Sequence, residues 1–287
     1  MARPRSLGSL LALVAFGAAA LFACSSESAP GGSPPVVTDD GSAPPADDGG
    51  VTTPPDSGPA TDAGTDAPPA ACTPAGGDIL GTLASGVCCQ LKQKLAAKTP
   101  SIDENLLVFT AGEAYDRASL SPGGQTIFDT PNAGGSSTES EVMSFEVLRY
   151  CEGATLVKTE TQVTYDPPAG PITDILVAID GQRVGVSVTR AYKPPSQTLT
   201  DADVKDLLEK KLDGINKSSA RVVAADKWVK QILHVFSVDK AATDAVKRVY
   251  ATIDPALRAD TIVLVTQTKG GGFVYCNPDP ALGTECP

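Results

Sequence analysis

The chain has 287 residues, a formal net charge of −11, one histidine and seven cysteines. Its cations and anions are not segregated into a basic block, so the usual footprint of a nucleic-acid binder is missing and no nucleic-acid partner is expected. The cysteines lack C-x2-C pairs and the histidine stands alone, which argues against a zinc site.

The N-terminus opens with Arg3 and Arg5, followed by an apolar run from Leu7 to Ala23. That run is at the short end for a spanning helix. The small residues Gly17, Ala18, Ala19, Ala20 and Ala23 favour cleavage over an uncleaved N-terminal anchor. The tetrapeptide Leu21-Phe22-Ala23-Cys24 then precedes an abrupt change to polar sequence. It resembles the lipobox of a bacterial lipoprotein signal peptide, with Phe22 where a small residue is usual. The resemblance implies a signal peptide over 1–23, lipidation at Cys24 and the lipid bilayer as a partner. More than one acyl chain suffices for stable anchoring. Ser25 resembles the sorting signal for the outer membrane, so the expected location is the bacterial cell envelope.

Residues 24–76 read as a disordered tether. From Ser25 to Gly76 there is no Lys or Arg, and the acids are Glu27, Asp39, Asp40, Asp47, Asp48, Asp56, Asp62 and Asp66. Pro, Gly, Ser, Thr and Ala dominate the remainder, too little apolar surface to offset the entropy of ordering. A flexible chain of this length spans about 40 Å root-mean-square. The signal carries +2 and the tether −8, leaving −5 on residues 77–287.

With Cys24 lipidated, Cys72, Cys88, Cys89, Cys151, Cys276 and Cys286 remain, an even number in an exported chain and therefore disulfide candidates. Cys276 and Cys286 bracket a C-terminal loop and form a plausible local pair. Adjacent Cys88 and Cys89 need separate partners, Cys72 being the nearest for one. Cys151, at the end of a helix, reads as a buried thiol if left over.

Residues 77–287 suffice for one cored domain. Val87, Leu91 and Leu95 have helical spacing. Leu106 to Phe109 reads as a strand, and the Gly- and Pro-rich stretch Thr110–Ser137 as a long loop. Thr138 and Glu141 form a capping box for a helix to about Cys151. Thr155–Tyr165 is strand-like. Ile172–Ile179 and Val184–Arg190 flank Asp180-Gly181, a hairpin signal. Thr200 and Asp203 cap a helix carrying Val204, Leu207, Leu208, Leu212 and Ile215 on one face. Trp228–Phe236 is a strand, Asp239 caps a further helix, Thr261–Gln267 is a core strand, and Phe273-Val274-Tyr275 an edge strand.

From Thr138 to Gln267 the order is αβββαβαβ in one mixed-sheet α/β domain. That order, with the segment Thr173–Thr189, resembles the core of the PD-(D/E)XK, or restriction-endonuclease-like, superfamily, over about 138–267. The resemblance implies an acid on the second strand, then an acid and a lysine two apart on the third, holding a divalent metal and positioning water. If Ile179 pairs with Gln182, Asp174 falls opposite Ser187, and Thr189 shares their face. Asp174 matches the first acid; Ser187 and Thr189 occupy the slots of the second acid and the lysine. A hydroxyl does not supply a carboxylate's charge to Mg²⁺, nor a threonine a lysine's. Glu141 or Glu146 on the preceding helix offers a further carboxylate.

A serine-hydrolase elbow fails at Ser187, because Thr189 stands where a glycine is needed. His234 shares a strand face with Trp228, Ile232 and Phe236 and reads as a packed histidine. Two functions remain. One is a non-enzymatic binding or envelope-associated module with an unidentified ligand or envelope-protein partner and no cofactor. The other is a metal-dependent phosphodiesterase or nuclease using Mg²⁺, Asp174 and a helix glutamate.

Overall fold

The computed structural model describes residues 77–86, 88–133 and 137–275. All belong to one compact unit, Gly64–Pro287. The signal peptide, Cys24, the tether, Cys72, Val87, Cys276 and Cys286 lie outside the described residues.

The strands are β1 (Thr82–Ser85), β2 (Ser101–Val108), β3 (Thr155–Thr159), β4 (Ile175–Ile179), β5 (Gln182–Ala191), β6 (Lys230–Ser237) and β7 (Ile262–Lys269). The helices are α1 (Leu91–Lys94), α2 (Pro122–Asp129), α3 (Thr138–Glu152), α4 (Asp201–Arg221), α5 (Lys240–Tyr250) and the single turn α6 (Pro255–Arg258). The strands form one mixed sheet in the order β1-β2-β7-β6-β5-β4-β3. β2, β7, β6 and β5 run parallel; β4 is antiparallel to both β5 and β3, and β1 is antiparallel to β2.

Alternation along the central strands sends side chains to two cores. Ile232, Phe236, Ile262 and Leu264 pack with Val142, Met143 and Leu148 of α3. Leu233, Val235, Val263 and Val265 pack with Leu208 and Leu212 of α4 and Val246 of α5. The sheet is thus covered on both faces, and each fully buried Leu or Ile contributes about 1.5–3 kcal/mol.

The β4–β5 hairpin follows the expected register, with Ile179 opposite Gln182 and Ile175 opposite Val186. Its turn needs positive φ at both central residues, and Asp180 (48°) and Gly181 (74°) supply it. Gly153, at φ 67°, ends α3 in the left-handed conformation. Thr200 and Asp203 form the expected capping box of α4, and Asp239 caps α5 through Ala242 N–H.

Several expectations are corrected. β1 forms where the sequence carries no strong strand pattern. The helix around Leu91 is a single turn, although Leu91 and Leu95 are buried. The stretch expected to be a loop contains α2, whose N-cap Ser121 and first-turn Pro122 are sound start signals hidden by Gly123-Gly124. Those glycines allow close packing: a Cβ on Gly123 would fall 2.4 Å from Phe145, and one on Gly124 2.2 Å from Glu146 Oε1. The N-cap of α3 is Ser137, not Thr138, and Glu141 accepts from the Ser137 hydroxyl at 2.6 Å instead of capping the backbone. β3 stops at Thr159, and a 3-10 turn follows at Glu160–Gln162. Phe273-Val274-Tyr275 is not an edge strand; it lies in a 3-10 turn and its end, with Val274 and Tyr275 buried. Trp228 precedes β6 and packs with Leu176 and Val222, apart from His234.

Cys151 is not a thiol: it is disulfide-bonded to Cys88, joining the end of α3 to the segment before α1. Cys89 is also disulfide-bonded. The adjacent cysteines therefore take separate partners, and that of Cys89 lies outside the described residues.

Candidate functional site

Two polar centres hang from α3. The first brings together Glu141 of α3, Glu160 in the turn after β3, and Asp174 just before β4. They line a cavity of about 10 Å³ with Asn132, Thr138 and Thr159. This is space for about one water molecule. Each carboxylate already holds backbone or loop groups. Glu141 Oε1 accepts from Asn132 Nδ2 at 2.9 Å and from the Ser137 hydroxyl at 2.6 Å. Glu160 accepts from Ala133 N–H. Asp174 Oδ2 accepts from Val188 N–H at 2.5 Å, while Asp174 N–H donates to Val186 O at 3.0 Å.

Burial raises the pKa of all three acids, and the charge of Asp174 adds to the rise at Glu141 and Glu160. Burial, reinforced by the charge of Asp174, pushes Glu141 up to about 7. Burial also raises Glu160, with a further push from Asp174 and opposition from Ala133 N–H. Asp174 is raised by burial against the pull of Lys211 and Val188 N–H. Lys211, on α4, donates to Val188 O at 2.8 Å and is the cation that Asp174 and Glu160 share.

The expected grouping of Asp174 with Ser187 and Thr189 on one face is not what forms. Ser187 and Thr189 do not share a site with Asp174. The ladder breaks before Ile175, and the Asp174 side chain turns along β5 to take the Val188 N–H. It is the buried Thr173 that meets Ser187, Oγ1 to Oγ at 3.5 Å, beside the Tyr165 hydroxyl. Val188, not Ser187, faces the core beneath α3. Two residues on, Arg190 rather than Thr189 lies within electrostatic reach of Glu139 and Glu141, its pKa lowered by burial. Val188 and Arg190, two apart on β5, thus lie on the side of the sheet that carries Glu141. Extrapolating a clean hairpin past its last paired residue missed this. The missing signal was the carboxylate itself, since Asp readily bonds nearby backbone N–H groups.

Glu146, the other helix glutamate considered, is apart from this cluster. It is buried, accepts from Ser121 N–H and hydroxyl at 2.9 and 2.6 Å, and pairs with Arg149 at 2.8 Å. It anchors the start of α2. Among the described residues, no three His, Cys, Asp or Glu side chains converge closely enough to hold a metal ion. Glu160 and Lys211 were missed by sequence reasoning; neither lies in a motif, and only the packing brings them to Asp174.

The second centre is His234, wholly buried on β6. Its Nδ1 lies 2.8 Å from Ser144 Oγ on α3, and its Nε2 2.7 Å from Thr266 Oγ1 on β7. One ring nitrogen donates and the other accepts, so the neutral ring is fully matched. Burial pushes its pKa down to about 3. The ring also stacks on Phe236, centroids 4.4 Å apart. The chain Ser144–His234–Thr266 contains a hydroxyl and an imidazole in contact, but Ser144, His234 and Thr266 have no solvent-accessible surface. It binds α3 to the sheet and offers no nucleophile to a substrate.

No protein-family model matches the chain, and no solved structure matches it. A Dictyostelium discoideum protein described as the AAC-rich mRNA clone AAC4 protein is 42% identical over 163 residues, covering 54% of this chain and 24% of that protein. The chain thus spans about a quarter of the length of this curated relative, whose description states no activity. Among the described residues, no helix is long and apolar enough to cross a membrane.

Proposed function

We propose that this chain is a lipid-anchored protein of the bacterial envelope whose domain is a catalytically degenerate, restriction-endonuclease-like scaffold serving as a binding module. The fold assignment is supported by the order α3-β3-β4-β5-α4-β6-α5-β7 and by the contiguous strands β3-β4-β5-β6-β7 with β4 reversed. The anchor rests on Arg3, Arg5, the apolar run and Cys24.

The single observation that carries the loss of chemistry is Val188. It occupies the position beside Asp174 where a second metal-binding carboxylate is needed, and its N–H engages the one that remains. Asp174 Oδ2 is already engaged by Val188 N–H and Glu141 Oε1 by Asn132 and Ser137, which leaves a metal only the second oxygen of each. A cavity of about 10 Å³ also gives a nucleotide no entry. Arg190 keeps a positive charge near the site, but a cation without a second carboxylate does not generate a metal-bound nucleophile.

The second function is a Mg²⁺-dependent phosphodiesterase using Asp174 and Glu141. The proximity of Glu141, Glu160 and Asp174, with Lys211 beside them, favours it. One assay separates the two. Purified mature protein with Mg²⁺ or Mn²⁺ is expected to leave DNA and RNA intact. Cleavage that is lost in Asp174→Ala selects the phosphodiesterase. For the anchor, Cys24→Ser is expected to release the protein from the membrane fraction; a lipid-free wild type would remove the lipoprotein assignment.

A further inference from the structure

The loops leaving the carboxyl ends of neighbouring parallel strands β5 and β6 line a cleft of about 510 Å³. This is within the size range of small-molecule sites, roughly 300–1,000 Å³. One wall is the segment Tyr192–Asp201. The other begins at Val238-Asp239, and alanines of α5 (Ala241, Ala242, Ala245) form the floor.

The charges in this wall are already matched. Lys193 pairs with Asp203 at 2.7 Å. Arg248 holds Asp201 through Nε and Nη2 at 3.0 and 2.6 Å. Asp239 Oδ1 accepts from Ala242 N–H at 2.8 Å. An anionic or cationic ligand would have to compete with one of these partners. By contrast, the Tyr192 hydroxyl, the Gln197 amide and the Thr198 hydroxyl make no side-chain hydrogen bond among the described residues. They are neutral groups that both donate and accept. Beside them lie apolar surfaces, Leu199 and the 39% exposed Val238.

We propose that this cleft binds a neutral polyhydroxylated ligand, a small saccharide. Sugar hydroxyls donate and accept, as the three neutral side chains do. The C–H face of a sugar ring would cover Val238, Leu199 and Ala241. The small alanine side chains leave the floor open. A purely apolar ligand would strip water from the amide and hydroxyls without replacing its hydrogen bonds.

This site deepens the binding-module function and rests on it, yet it shares no residue with the Asp174 cleft. The nuclease assay and a sugar titration can therefore fail separately. The mature protein is titrated calorimetrically with glucose, N-acetylglucosamine and maltose, and with inorganic phosphate and acetate as anionic probes. At least one sugar is expected to bind saturably with a Kd of about 1 mM or tighter. Gln197 and Ala241 are exposed, so Gln197→Ala and Ala241→Trp should fold with an unchanged thermal midpoint. Each is expected to weaken sugar binding by about tenfold or more. The proposal is overturned if none of the three sugars binds, if phosphate or acetate binds in their place, or if both variants bind sugar as well as the wild type.

Discussion

Ser144 and Glu141 lie three residues apart on α3, and each leads into a buried polar centre of opposite character. At Ser144, one imidazole meets two hydroxyls and every hydrogen-bonding group is matched without charge. At Glu141, three carboxylates crowd together with Lys211 as the nearby cation. Burial acts on both, but in opposite directions of pH. It lowers the pKa of His234, because the charged form of a histidine is the protonated one. It raises that of Glu141, because the charged form of a carboxylic acid is the deprotonated one. The matched centre behaves as fixed structure; the crowded one behaves as a titrating group.

The largest expected effect comes from breaking the matched centre. His234→Leu would leave the buried hydroxyls of Ser144 and Thr266 unpaired, at about 1–3 kcal/mol each. Loss of roughly 2–4 kcal/mol in urea unfolding at pH 7 is expected. A loss under about 1 kcal/mol would mean that the hydroxyls find other partners.

The crowded centre is sharpened by Glu141→Gln. In the wild type, the folded-state pKa of about 7 exceeds the unfolded value near 4.5. The stabilisation from protonated Glu141 is therefore present below about pH 4.5 and lost as pH rises through about 7. His234 has the reverse sign: its folded pKa of about 3 lies below its usual 6.5. Its contribution is present above about pH 6.5 and lost as pH falls toward 3, with a limiting slope of about 1.4 kcal/mol per pH unit. The two slopes oppose each other between about pH 4.5 and 6.5. Glu141→Gln keeps the shape and removes the charge, so stability near pH 8 should rise by about 1 kcal/mol. The falling limb between pH 4.5 and 7 should become shallower by the Glu141 contribution, the raised Glu160 and Asp174 supplying what remains of it. A variant whose stability-versus-pH curve overlays that of the wild type would place the titration elsewhere.

The smallest effect is expected at Ser187→Ala. Its hydroxyl has only the long 3.5 Å contact to Thr173 Oγ1 and lies apart from both centres. Less than about 1 kcal/mol should be lost, with the pH profile unchanged. A changed profile would return Ser187 to the Asp174 cluster.

Much of the scaffold was legible in the residues. Alternation from Ile175 to Val188 and the Asp180-Gly181 turn set the hairpin register, because a one-residue slip would exchange the faces of the strands. Thr200, Asp203 and Asp239 marked two helix starts by supplying acceptors to backbone N–H groups. His234 was correctly read as a core histidine. These are local signals, set by spacing along the chain. The fate of the cysteines was less legible, since parity says that pairs exist and not which ones form; only the approach of α3 to the segment before α1 joins Cys88 to Cys151.

Sequence by itself determined the α/β character and the hairpin register, which depend on patterns among near neighbours in the chain. Tertiary structure alone decided which polar groups meet. Glu160 and Lys211 reach Asp174 from a turn and a helix distant in sequence, and Asp174 leaves its expected face because a backbone N–H on β5 is the acceptor's nearest donor. A buried carboxylate goes where its hydrogen bonds can be satisfied, and those donors are assembled only when the sheet and helices have packed.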